Sequence, residues 1–200
     1  SLNILSNNAS TVGSYDLGIL SSENGRNVVL EKIKQNEFEI IFLFGQDDLK
    51  FNKKKEFIIY IGSHGDRGAE IADLILPGCA YTEQDGYYTN LEGNLQKAYK
   101  ASYPPGEAME DWVIVNDLSA SIKRNKLFLN KDELISSMFN YLKINKKNNS
   151  FKLSDYKYFD EKITAEYIDY YHSNAIARAS KTMNECRNIK LNFKKTGTEG

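Results

Sequence analysis

The residues best placed to do chemistry form the short loop Gly62-Ser63-His64-Gly65-Asp66, which follows the apolar run Phe57-Ile58-Ile59-Tyr60-Ile61. Open α/β sheets bind ligands at the carboxyl ends of their strands, so this loop is the first place to look for a site. An imidazole there could act as an acid, a base or an oxyanion donor, with Asp66 to orient it. The alternative is structural: the glycines make the turn, and His64 and Asp66 cap a helix beginning near Arg67. Loop position alone favours the structural reading. The glycine spacing is neither GxGxxG nor GxxxxGK[ST], so the dinucleotide fingerprint and the phosphate loop are both absent.

Other reactive residue types are present without a supporting pattern. Ser63 beside His64 is adjacency in sequence, not a proton relay, and no nucleophile elbow occurs. Cys79, after Pro77-Gly78, reads as a small buried residue. The two cysteines, Cys79 and Cys186, have no CxxC partner and no histidine at metal spacing, which argues for a reducing compartment and against a structural zinc or cluster site. His64 and His172 cannot make a metal site by themselves. Basic and acidic residues nearly cancel, 26 against 27, so no net field favours nucleic acid or anionic lipid, and the 13 tyrosines read as packing rather than as a base-stacking platform.

Two hundred residues, 41% hydrophobic and 26% charged with only 3 prolines, are those of an ordered globular chain. No apolar run approaches the ~20 residues needed to span a bilayer. The chain holds 20 asparagines and 21 lysines but 5 arginines; this skew has no folding rationale and points to A/T-rich codons, as in an organellar genome. The first residue is Ser1, with no basic, apolar presequence after it, which suggests that any targeting segment was removed or never belonged to this chain.

The elements that must hold the loop are legible from periodicity. Leu2, Leu5, Ala9 and Val12 have helix-like spacing before Asp16-Leu17-Gly18 breaks it, and Asn27 to Gln35 fits an amphipathic helix. Phe38 to Phe44, ended by Gly45, and Phe57 to Ile61, ended by Gly62, read as strands buried on both faces of a parallel sheet. Ala72 to Leu76, stopped by Pro77-Gly78, is a third. Tyr81 to Tyr103 reads as a long ordered loop held by its aromatic residues. Glu107 to Ile122 reads as a helix with acidic residues at its start, and Lys131 to Leu142 as another, capped by Asn130. Lys143 to Asn149 reads as a solvated connector. A short strand is expected near Tyr167 to Tyr171, and a last helix from Ser173 or Asn174 through Ile176, Ala179, Met183 and Cys186.

One block is more specific than any of these. Gly62 to Glu83, with Gly62, His64, Gly65, Asp66, Gly68, Asp73, Pro77, Gly78, Tyr81, Thr82 and Glu83 as its distinctive positions, continues through Gly86, Tyr88, Thr89, Asn90, Glu92, Gly93 and Gln96. It resembles the carboxyl-terminal, molybdopterin-oxidoreductase-like part of the large iron-sulfur subunit of respiratory complex I (NADH:ubiquinone oxidoreductase; the G subunit in bacteria). Three further segments match in order: Asn7 to Gly13 with Asp16-Leu17-Gly18; Pro105-Gly106 with Glu110-Asp111-Trp112; and Ser173 to Ser180. Together they extend over nearly the whole chain.

The resemblance implies an α/β fold, a mostly parallel twisted sheet flanked by helices. It implies a core at residues 1–149 that is incomplete alone, and a carboxyl-terminal extension at 150–200 packed on the same domain. It further implies a structural portion of the peripheral arm of complex I, on the matrix side of the mitochondrial inner membrane or the cytoplasmic side of a bacterial one. The partners would be the cluster-binding amino-terminal half of the subunit and other peripheral-arm subunits. Iron-sulfur clusters would belong to that half, with no cofactor and no catalytic residue on this chain. In molybdenum enzymes the related domain cradles a pterin, and the His64 loop would be a candidate contact; the rival reading is therefore a fragment of a molybdenum oxidoreductase such as a formate dehydrogenase. A third, a stand-alone ligand-binding α/β protein, predicts a cooperative monomer, whereas the complex I reading predicts an insoluble or molten chain without its partner.

Overall fold

Three short β-branched and aromatic runs pair side by side in the computed structural model, which describes residues 8–19, 25–47, 52–122, 125–148 and 169–193. Strands β1 (Ile40–Phe44), β2 (Phe57–Gly62) and β3 (Leu74–Pro77) form a parallel sheet in that order. The register sets Phe42 beside Ile59 and Ile59 beside Leu74. Each strand lies within two residues of its expected bounds, and the α/β class with a mostly parallel sheet is as expected.

Side chains alternate across a strand, so the register divides the sheet into two faces. On one, Leu43, Ile58 and Tyr60 are buried and packed by Ile41 and by Ala69, Ile71 and Ala72 from the β2–β3 crossover, which includes helix α3 (Arg67–Ile71). On the other, Ile59 and Ile61 are buried beneath Ile114 of helix α4 (Asp111–Ser121) with Leu76 alongside. That cover is narrow: Ile40 is 54% exposed, Phe42 40%, Phe44 43%, Phe57 46% and Leu74 42%. The expectation of a strand buried on both faces therefore fails for β1, and the shorter β3 is likewise exposed at Leu74 and Ile75. Among the described residues the buried cluster on this face joins β2, Leu76 and Ile114 of α4 and includes no residue of β1.

Met109 adds a single parallel bridge outside β3, accepting from Cys79 N and donating to Pro77 O. The stretch expected to be a long loop contains an antiparallel hairpin, β4 (Gly86–Thr89) with β5 (Leu95–Ala98). Its turn is built by side-chain chemistry: Asn90 Oδ1 accepts from Glu92 N at 3.1 Å and from Asn94 N at 2.9 Å, and Gly93 takes φ +81°. Such Asx turns let a polar stretch reverse and pair, which a search for apolar alternation overlooks. Helix α1 (Thr11–Asp16) packs on this hairpin, with Gly13 against the buried Thr89. Leu2, Leu5 and Asn7 lie outside the described residues.

Helix α2 (Arg26–Lys34) ends at Asn36, whose φ of +58° closes the last turn. Helix α5 (Lys131–Asn148) begins as expected, with Asn130 Oδ1 accepting from Glu133 N at 2.9 Å. It continues through the segment expected to be a connector, since lysine and isoleucine there carry no helix breaker. The boundary at 149/150 lies outside the described residues. Buried Asn116 of α4 holds the α4–α5 link, donating to Phe128 O at 2.8 Å and accepting from Phe128 N at 3.0 Å.

The expected strand near Tyr167 is, in its described part, a 3-10 turn at Tyr170–His172. Asp169 just before it pairs with Arg187 of helix α7 (Lys181–Phe193), which folds the segment back onto that helix. The last helix is two: α6 (Ala175–Ala179) and α7, separated at Ser180. The Asn184 side-chain amide donates to both Arg178 O and Ser180 O, replacing the bonds lost at the break. Asn174 caps α6 as expected, accepting from Ala177 N at 2.9 Å.

Candidate functional site

Parallel strands put all their carboxyl ends at one edge, and there the chain gathers its charged groups. After β1 come Gln46 and Asp47; after β2, Gly62 to Asp66; after β3, Gly78 and Cys79. Asp47 is 2% exposed. Arg178 reaches in from α6, its Nη2 3.3 Å from Asp47 Oδ2 and its Nε 3.0 Å from Asp66 Oδ2. The other oxygen of Asp47, Oδ1, is buried and finds no hydrogen-bond partner among the described residues.

Tyr60 forms the floor. Its hydroxyl donates to His64 O at 2.6 Å, pinning the loop from below. Burial, with the Asp47 carboxylate nearby, holds its phenol well above the usual tyrosine range, so it remains a proton donor. His64 Nδ1 lies 2.9 Å from Ser63 Oγ. The Asp66 carboxylate binds Arg178 instead of orienting His64, and although Asp66 stands at the N-cap of α3 its side chain makes no capping bond. Both sequence readings of Asp66 are thereby replaced by a third.

The space that glycine leaves is already used by the chain. A Cβ on Gly68 would collide with Gln46 O and the Tyr60 ring, and one on Gly78 would lie 2.9 Å from Asp111 Oδ1. Glycine at 68 is what lets α3 settle onto the sheet edge.

The remaining distinctive positions are elsewhere. Asp73 sits at the opposite, amino-terminal end of the sheet, where Oδ2 accepts from Ile58 N at 2.8 Å and Oδ1 pairs with Lys53. The Ile58 N–H, and secondly Lys53, hold the Asp73 carboxyl below its ordinary range. Pro77 closes β3. Thr82 O accepts from Ala101 N, and Glu83 exchanges bonds with Ala80, Oε2 accepting from Ala80 N at 2.9 Å. Tyr81 is exposed. Asn90, Glu92 and Gly93 are the hairpin turn. The block is thus three structural devices, and only Gly62 to Gly68 with Gly78 borders the strand-end crevice.

Cys79 is buried beside Glu83, Glu110 and Asp111. Burial first, and then those carboxylates, push its thiol up, which keeps it a poor nucleophile at neutral pH. Asp111 is itself raised by burial and by Glu110. Glu110 is partnered, accepting from Trp112 Nε1 at 2.8 Å and Lys131 Nζ at 2.6 Å. Beside it a groove of about 520 Å3 runs between the hairpin and α5, lined mainly by Leu17, Tyr87, Trp112, Leu134, Met138 and Tyr141. Among the described residues no cluster of His, Cys, Asp and Glu is arranged to hold a metal ion.

Sequence reasoning misses Asp47 and Arg178. A usable signal exists: in a chain with 21 lysines and 5 arginines, each arginine is a candidate for a place where a planar, two-pronged cation is required, a role Arg178 fills and exposed Arg67 does not. Arg178 and Arg187, both in the carboxyl-terminal helices, are both paired to carboxylates.

Residues 1–121 match the family model described as Molybdopterin oxidoreductase, and residues 143–186 match that of the C-terminal region of the NADH-ubiquinone oxidoreductase G subunit. The chain is similar to the NADH-quinone oxidoreductase G subunit of Rickettsia bellii (strain RML369-C), 39% identical over 204 residues that cover 98% of this chain and 28% of that protein. It is 40% identical over 205 residues to the NADH-ubiquinone oxidoreductase 75 kDa subunit of Reclinomonas americana, covering 95% of this chain and 29% of that one. The NADH-quinone oxidoreductase G subunit of Rickettsia conorii (strain ATCC VR-613 / Malish 7) is 41% identical over 202 residues, covering 92% and 27%. The chain spans less than a third of the length of these relatives.

Proposed function

We propose a function from one premise: this chain belongs to the molybdopterin oxidoreductase family, in the form that carries the carboxyl-terminal region of the NADH-ubiquinone oxidoreductase G subunit behind it. Its role is that of a non-catalytic structural portion of respiratory complex I, in the peripheral arm on the matrix side of the inner membrane. It serves electron transfer from NADH to ubiquinone by covering and positioning the cluster-bearing half of the subunit. No helix among the described residues is long and apolar enough to cross a membrane, in keeping with a place in the peripheral arm.

The observation that carries this reading is the open sheet face. Ile40, Phe42, Phe44, Phe57 and Leu74 form one contiguous apolar surface by register. Patches of this kind on a folded chain mark an interface. The occupant we propose is the remainder of the same subunit, since the matched relatives carry more than two thirds of their length outside this segment.

The family name implies a molybdopterin, and the described residues at the strand ends do not fit one. Such a cofactor is anionic through its phosphate. The crevice instead presents two carboxylates, Asp47 and Asp66, around one guanidinium already bound to both. Next to its glycines lie Tyr60, Gln46 O and Asp111, leaving no cradle for a pterin. The proposed role therefore involves no redox cofactor on this chain, and puts the iron-sulfur clusters in its partner half.

Affinity capture of the tagged chain from solubilised mitochondrial membranes tests this. It is expected to recover NADH dehydrogenase subunits, including a cluster-bearing polypeptide, without stoichiometric molybdenum or tungsten. Recovery of no such subunit sinks the assignment, and stoichiometric molybdenum favours the formate-dehydrogenase-like alternative.

A further inference from the structure

We infer that the strand-end crevice is a guanidinium site, and that its ligand is Arg178 of the chain's own carboxyl-terminal helices. Such a site goes beyond the respiratory assignment and stands on contacts within this chain, so it holds whatever assembly the chain joins.

Four observations converge. Asp47 is the most buried acidic side chain described, its side chain fully shielded from solvent, and its Oδ2 meets Arg178 Nη2. Asp66 approaches the same guanidinium from the β2–α3 loop through Nε, so two carboxylates from two strand ends hold two nitrogens of one planar cation. Tyr60 and Gln46 fill the spaces beside Gly62 and Gly68, where an added Cβ would collide with them, so the loop and α3 that carry Asp66 lie tight against the ends of β1 and β2. Lastly, the protein fixes Arg178 from its own side: Asn184 Nδ2 donates to Arg178 O at 2.9 Å, and His172 Nε2 lies 2.9 Å from Asn184 Oδ1. Arg178 is separated from Asp47 by 131 residues in sequence and from Asp66 by 112. The pair of bonds therefore fastens residues 169–193 to the sheet.

Arg67, exposed on α3, takes no part in the cluster. A buried carboxylate that loses its cation is strongly destabilised, which makes the latch tight but dependent on one residue.

The test is chemical rescue of Arg178→Ala in the intact assembly that retains the full chain, read by hydrogen exchange of the α6 and α7 amides. Loss of charge-assisted bonds to two carboxylates is expected to speed that exchange by about tenfold or more. Ethylguanidinium at tens of millimolar is expected to restore most of the protection, and inorganic pyrophosphate none. Unchanged exchange in Arg178→Ala, or rescue by pyrophosphate in place of ethylguanidinium, overturns the proposal. Should Arg178→Ala fail to assemble, Arg178→Lys serves: a lysine offers one nitrogen where the guanidinium offers two in a fixed plane, so intermediate exchange is expected. Protection equal to wild type in Arg178→Lys also overturns it. Capture of the wrong partner subunits would leave these outcomes unaffected, so this inference and the respiratory assignment can fail separately.

Discussion

The two faces of the three-stranded sheet are made from the same kinds of residue and meet different fates. On one, Leu43, Ile58 and Tyr60 lie at or below 3% exposure, closed over along β1 and β2 by the short crossover through α3, while Ile75 of β3 on the same face stays 53% exposed. On the other, Phe42 and Phe44 stack with ring centroids 6.3 Å apart, yet both remain more than one-third exposed. Apolarity alone therefore does not tell a core from an interface. The difference lies in what the described chain supplies above each face: an immediate crossover in one case, and in the other the buried Ile114 of α4 over Ile59 and Ile61.

Substitutions break the comparison in a defined order. Ile58→Ala empties a fully buried site on the closed face and is expected to cost about 3 kcal/mol of unfolding free energy, measured by denaturant titration with the subunit assembled. A loss below about 1 kcal/mol would mean that the closed face is not the core.

A smaller and pH-dependent effect is expected at the amino-terminal end of the sheet. The Asp73 carboxyl is depressed by the Ile58 N–H and then by Lys53. A depressed folded value stabilises the ionised state, so its contribution is complete above the ordinary carboxyl value of 3.8 and is lost as pH falls through the folded one. Asp73→Asn lacks that contribution. The variant should be less stable than wild type at about pH 6, and the gap should narrow at about pH 3. A gap that widens in acid contradicts the Asp73 assignment.

How much of this is legible in the sequence differs by feature. The three strands, α4 and the start of α5 follow from apolar periodicity and from a capping asparagine, both local signals. The hairpin at Gly86–Ala98 escapes because its turn is written in Asn90 and Gly93 while its strands alternate weakly. The length of α5 escapes because Lys and Asn suggest solvated coil, although nothing in that segment breaks a helix. The half-open sheet is anticipated only through the resemblance, which implies an incomplete core; the apolar runs themselves signal burial on two faces without revealing what provides the second cover. The strand-end loop is recognisable as the place to look, but what Gly62 and Gly68 supply there is close approach to Tyr60 and Gln46, not the expected tight turn in the positive-φ region. Asp47 and Arg178 cannot be paired from spacing, since their bond joins segments 131 residues apart; only the scarcity of arginine points toward it.

The central claim is that the open face is an interface with the rest of the subunit, and amide hydrogen exchange of β1 tests it most directly. With the full subunit assembled, the amides of Ile40 to Phe44 are expected to exchange far more slowly than in the separated chain. Introducing Phe42→Asp with Phe44→Asp should abolish that gain and release the chain from the remainder. Protection of β1 that is the same with and without the remainder of the subunit, or assembly indifferent to the two aspartates, would contradict the interface.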